Sequence, residues 1–271
     1  MSKVWLLELL LVLSAPSLGA QSASKDTVAD GPLFTQTSAW IAGGTVVGTA
    51  ALMFADPAIT EEFRDPGPQR SRFLRNAARD FDWLGDPGTV VIAATMYGTG
   101  RLTRHPVLAE LGLRSAEALA MSGAITGLIK GVAGRDRPFL NDRDADDFGV
   151  GAGFGSGGHT SFPSGHATAA FAVASVVASE SSVRWPHASH FIQPIVYGLA
   201  TSVALARVYG DHHWASDVVA GAGIGTLTGL SVVRYHRLHP HSRLDRWLQS
   251  ARVLPTAGNG DVGLFLSIAM P

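Results

Sequence analysis

The chain has 271 residues, a net charge of −1 and no cysteine. That length suits one sizeable domain. Scattered basic residues leave no nucleic-acid footprint, so DNA and RNA are not expected partners. The missing thiols remove disulfides, thiolate metal sites, thiol catalysis and a lipid-anchored N-terminal cysteine together.

The first stretch, MSKVWLLELLLVLSAPSLGAQS, has Lys3, an apolar run from Val4 to Leu13 and small residues around Ser17 to Ala20. This is the three-part pattern of a secretory signal, which predicts export with removal of residues 1–20. An uncleaved membrane anchor is the alternative. A polar linker, 21–32, follows, then a helical domain over 33–250 and a tail over 251–271.

Six apolar stretches come next: Ser38 to Ala55, Gly88 to Tyr97, Ser115 to Val132, His166 to Ser179, Phe191 to Gly210 and Ser216 to Val233. Most exceed strand length and all are rich in alanine and glycine, which predicts an all-α fold. The expectation is a single compact bundle of about six core helices packed through small residues. Pro, Gly and Asp punctuate the joins, as in "ADPAIT" and "GDPGTV". In the tail, a turn at Gly258 to Gly260 precedes an apolar run suited to a short strand.

"NDRDADDFG" alternates Asp142, Asp144 and Asp146 as a calcium loop does. Asp147 then stands where the turn glycine belongs, and Gly153 where the bidentate glutamate belongs. A solvated acidic loop is the better reading, and no constellation in the chain reads as a metal site.

Three clusters carry chemistry. "KGVAGRDRP" holds Lys130 and Arg137, with Gly134 and Pro138 marking a helix end between or after them. "GGHTSFPSGHATAAFA" sets Ser164, Gly165 and His166 at the mouth of an apolar stretch. Alone, that stretch is equally a helix cap or an anion site, since the first turn of a helix presents unpaired N–H groups. "ARVYGDHHWASD" holds Arg207, His213 and Asp217, the last two spaced to face each other across one helical turn.

Taken together and in this order, ten positions resemble the tripartite signature of the type 2 phosphatidic acid phosphatase and vanadium haloperoxidase superfamily. They are Lys130, Arg137 and Pro138; Pro163 to His166; and Arg207, His213 and Asp217. One position departs, with Ala206 where the family usually has serine.

The resemblance implies a metal-independent phosphatase without cofactor, acting on phosphomonoesters or pyrophosphates, with lipid phosphates first and small soluble esters second. Lys130, Arg137 and Arg207, with Ser164 and the N–H groups around Gly165, would hold the phosphate. His213 would be the nucleophile, Asp217 its orienting carboxylate and His166 the general acid and base. A vanadate-dependent haloperoxidase and a non-catalytic helical scaffold are the rival readings.

The neighbouring residues carry blander expectations. His212 is adjacent to the site, His159 is a loop histidine, Trp214 and Tyr209 pack, and His236, His239 and His241 form a polar tail. Two of the six stretches meet a charge early, at Arg101 and Glu180. With six crossings after a cleaved signal, the first cluster would face the cytoplasm. The expectation is therefore that at least one segment does not span. The catalytic face would then lie in the periplasm, with the domain soluble there or resting on the membrane, as against a multi-pass inner-membrane protein.

Overall fold

The computed structural model describes residues 31–140, 144–155 and 157–240, together with the backbone of 252–258 and 261–267. The proposed signal, most of the linker, Asp142 and His241 lie outside the described residues.

The fold is helical. In chain order the helices are α1 (Gln36–Met53), α2 (Asp56–Arg64), α3 (Pro66–Arg70), α4 (Arg72–Trp83), α5 (Thr89–Leu102), α6 (Pro106–Ala133), α7 (Gly165–Arg184), α8 (Pro186–Tyr209) and α9 (Ala215–Leu238). The six apolar stretches correspond to α1 and α5 to α9. The sequence reading missed α2, α3 and α4, whose surfaces are too polar to announce a buried helix. Their starts carry local signals: Asp65 accepts from Gly67 N and Ser71 from Leu74 N. The backbone of the tail forms an antiparallel hairpin, Arg252–Gly258 on Asp261–Ser267.

The core lies between α7, α8 and α9. Phe171, Ala174, Val203, Ala204, Val218 and Ala222 meet there, and Phe63, Phe81 and Leu84 close its edge. A second cluster joins Leu111 and Ala118 of α6 to Val176 of α7 and Val233 of α9. Small residues set the helix spacing. A methyl group added to Gly221, Gly225 or Gly229 of α9 would lie within 2.5 Å of backbone oxygens of Ser164, Thr168 and Ala172 respectively. The backbones of α7 and α9 therefore touch along three turns, as small-residue seams allow.

Ion pairs pin the far end of the bundle. Glu180, 3% exposed, accepts from Arg184 at 2.7 Å and Arg114 at 2.8 Å, with Arg237 at 3.3 Å. His236, expected in a polar tail, is instead buried within α9 and paired with Glu117 at 2.5 Å. Helix α9 continues past the last apolar residue of its stretch, and that extra turn folds inward onto α6.

Among the described residues, α6, α8 and α9 are long and apolar enough to cross a membrane, and the bent pair α1–α2 adds a fourth if it counts as one span. Helix α5, at 14 residues, reaches only about 21 Å against a hydrocarbon core of about 30 Å. Trp40, Val47, Leu128, Phe191 and Ile195 point outward from α1, α6 and α8. Apolar exteriors on spanning-length helices mark a membrane-associated chain, which favours the membrane arm of the sequence expectation over the soluble one.

Candidate active site

The three clusters converge at one end of α6, α7 and α9. Helix α6 stops at Ala133 because Gly134 takes a left-handed conformation, φ 58°. A side chain there would also strike Gly149 O, at 1.9 Å from its Cβ. The turn sends Arg135 inward and Arg137 toward the site, as the expected helix end requires.

Lys130, on the last turns of α6, holds the loop before α7. Its ammonium donates to Pro163 O at 2.9 Å and to Thr160 O, with Ser161 O at 3.5 Å. Arg137 Nη2 donates to Thr160 Oγ1 at 3.2 Å. Ser164 is both cap and anchor: its Oγ accepts from Ala167 N at 3.4 Å and its N–H donates to Asp217 O at 3.0 Å. Helix α7 starts at Gly165, so His166 sits in its first turn, among N–H groups with no intrahelical acceptor.

His213 precedes α9 rather than lying on it, with Trp214 as the N-cap and Asp217 in the first turn. The pair therefore meets across a helix entry, not along a helix face as the spacing suggested. His213 Nδ1 stands 3.6 Å from Asp217 Oδ2, longer than a hydrogen bond, and has no other acceptor. Asp217 meanwhile accepts from Ser161 Oγ at 2.5 Å, Trp214 N at 3.0 Å and Arg135 Nη1 at 2.6 Å.

Arg207 closes the cluster from α8. Its Nη1 is paired with Asp82 of α4, and Asp82 Oδ1 also stands 3.7 Å from His166 Nε2. Gly85 lets the α4–α5 turn press on the same histidine, since a Cβ there would meet His166 Cδ2 at 2.9 Å and Val203 at 2.7 Å. Among the buried nitrogens of the described residues, Arg137 Nε, Arg207 Nε, His212 Nδ1 and His213 Nδ1 have no hydrogen-bond partner. Buried guanidinium donors without acceptors are costly, and an anion's oxygens supply what they lack.

Arg135, Asp56 and Ser216 belong to the site and were missed in the sequence. Arg135 is wholly buried, and so is Asp56. The guanidinium donates to Asp217 at 2.6 Å, Ser216 Oγ at 2.7 Å, Asp56 Oδ2 at 2.8 Å and Ala145 O at 2.8 Å. Asp56 in turn accepts from Ser216 N at 2.9 Å. Phe148 and Trp214 flank the guanidinium, with ring centroids at 5.1 and 5.4 Å. The one available signal was a third cation beside Lys130 and Arg137.

The remaining candidates lie around this cluster. His159 is paired with Asp136 and half-buried. Trp214 is fully buried, donating to Asp136 O at 2.8 Å. Tyr209 donates to Pro68 O at 3.1 Å, and His212 packs edge-on to Phe139.

Burial pushes the His213 imidazole down to about 3, against a weaker upward pull from Asp217. Burial, with Arg207 beside it, pushes His166 down to about 4. Both rings are therefore neutral in the folded protein at pH 7. In the unfolded chain they protonate at about 6.5, so acid favours unfolding through that window. We expect the melting temperature in detergent to fall as the pH drops from 6.5 toward 4, and His213→Asn to flatten the slope. A pH-independent melting temperature in the wild type would contradict this.

Fold and site thus define a membrane-associated helical protein with a buried cluster of histidines and cations suited to an anion. Residues 111–240, a little under half of the chain, match the model of the PAP2 superfamily, and the resemblance read from the three clusters is borne out. The chain is 38% identical over 69 residues to a lipid A 1-phosphatase from Porphyromonas gingivalis. That alignment covers 26% of this chain and only 15% of the relative. The fold is similar to that of a transmembrane PAP2-type phosphatidylglycerolphosphate phosphatase from Bacillus subtilis. The TM-score is 0.59 at 20% identity, over 77% of this chain and 99% of that one.

Proposed function

We propose that the protein is a metal-independent lipid phosphatase working through a phosphohistidine. The observation that carries this reading is the set of buried donors, on Arg137 and Arg207, that lack protein acceptors and converge beside a neutral, buried His213. Phosphoryl transfer needs fixed positive charge around the equatorial oxygens and an aligned nucleophile.

In the first half-reaction the Nε2 lone pair of His213 attacks phosphorus as the ester P–O bond breaks. His166, protonated from solvent once substrate is bound, gives that proton to the departing oxygen and becomes neutral. The ring of His213 then carries positive charge, and its Nδ1–H closes the 3.6 Å gap to Asp217. In the second half-reaction His166 takes a proton from water, whose oxygen attacks phosphorus. The P–N bond breaks, and neutral His213 and inorganic phosphate result. Substrate also readies the acid: a bound phosphate dianion offsets the Arg207 charge that depresses His166, so that ring binds its proton more tightly in the complex.

The leaving group separates the two histidines. His166→Ala is expected to slow alkyl phosphates by about 10²- to 10⁴-fold and nitrophenyl phosphate much less, because nitrophenolate departs with little protonation. Equal losses on both would remove His166 from the acid's role. Phosphate release from phosphatidate, an isoprenyl pyrophosphate, a lipid A analogue and nitrophenyl phosphate tests the function itself, and silence on the whole panel would overturn it. The lipid arm of the panel is favoured by the apolar exterior of α1, α6 and α8.

The placement that fits this reading puts the catalytic end of the bundle in the periplasm. A reporter active only outside the cytoplasm, inserted after Asp144 in the loop that follows the Lys130–Arg137 turn, should be active; a silent fusion with an active cytoplasmic reporter would reverse the orientation.

A further inference from the structure

We propose that the cavity beside the catalytic cluster is a second anion subsite, which takes a second phosphate carried by the same substrate; this rests on the phosphatase reading. The cavity is an open cleft of about 460 Å³, within the range of small-ligand sites. It shares its wall with the site already described. Ala206 and His212, which line it, flank Arg207 and His213 in the chain, and Asp82, which also lines it, is the partner of Arg207.

Helix α4 supplies the chemistry. Arg75, Arg79 and Asp82 fall three or four residues apart, so one face of α4 presents all three to the cavity. Arg79 makes no ion pair or hydrogen bond among the described residues, and Arg75 spends one N–H on Gln69 O at 2.5 Å. Arg64, a third guanidinium in the wall, is clamped by Asp211 at 2.5 Å and by Pro138 O at 2.9 Å. The charge of Asp82 is already met by Arg207, which leaves Arg75 and Arg79 as the uncompensated charges of the wall.

The spacing sets the ligand class. Arg79 lies one turn of helix, about 5 Å, from Asp82, and Arg75 about one turn further. A phosphate held by Arg207 would therefore have a forked guanidinium within reach of a second phosphate on the same headgroup, whether joined as a diphosphate or through a short linker. A headgroup with one phosphate leaves these arginines unused. Their position on a concave wall continuous with the catalytic cations, rather than on the apolar exterior, favours a substrate group over a bilayer surface.

Binding, rather than turnover, provides the test. Titration calorimetry in neutral detergent would compare methylphosphonate with methylene-, ethylene- and propylene-linked bisphosphonates, on the wild type and on R75Q/R79Q. The wild type should bind at least one bisphosphonate about tenfold tighter than methylphosphonate, and the double variant should lose that advantage. The side chains are exposed, so the variant is expected to fold, which its melting curve would verify. Three results would overturn the subsite: no preference for bisphosphonates in the wild type, equal weakening of both probe types in the variant, or a loss confined to binding of anionic vesicles. Failure of the phosphatase reading has a different signature, namely bisphosphonate preference without phosphate release from any ester.

Discussion

Replacing His213 with alanine is expected to abolish phosphate release for every leaving group, by about four orders of magnitude or more. The ring is almost fully buried and neutral, and it is fixed by its backbone N–H on Arg207 O at 3.3 Å. No other imidazole near the cations has this placement: His166 is in the first turn of α7 and His212 faces the neighbouring cavity. Rapid quench into alkali with labelled substrate should trap a phosphoenzyme in the wild type and none in the variant. A phosphoenzyme that survives the substitution would move the nucleophile elsewhere.

Arg135→Met should cost the fold as much as the chemistry. The guanidinium is wholly buried between two wholly buried carboxylates, Asp56 at 2.8 Å and Asp217 at 2.6 Å. Removing it strands both, and a broken buried ion pair typically costs about 3–5 kcal/mol. Because that loss is large beside the total stability of a typical domain, the melting temperature should drop sharply. Adding Asp56→Asn to Arg135→Met should restore part of the stability by removing one stranded charge. Activity should stay low, since Asp217 still lacks its cation and His213 its fixed partner. Thermal unfolding in detergent and phosphate release, measured on both variants, check the two halves. An Arg135→Met protein that melts like the wild type would show that the carboxylates are not held as described.

These two residues also mark where the sequence was legible. His213 and Asp217 could be found because the chemistry that joins them is local, four residues apart, and because His166 and Ser164 sit in a helix entry with a recognisable cap. Arg135 and Asp56 are 79 residues apart in the chain, and nothing near Asp56 distinguishes it from a turn residue. The same holds for Asp82, which meets Arg207 across 125 residues. Core helices rich in alanine were readable from their length. Helix α4 was not, because a stripe of arginines beside a cavity has the composition of a solvated surface.

The glycine seam between α7 and α9 has a consequence for motion. His166 rides on one of these helices, and Asp217, with His213 just ahead of it, on the other, while their backbones interlock at Gly221, Gly225 and Gly229. Sliding either helix would break all three contacts at once, so His166 and His213 are held as parts of a single body. Helix α4 and the Leu84–Gly88 turn touch that body through Asp82 and Gly85. For the proposed reaction, this interlock would keep His166 and His213 in register while α4 and the Leu84–Gly88 turn border the site from the other side.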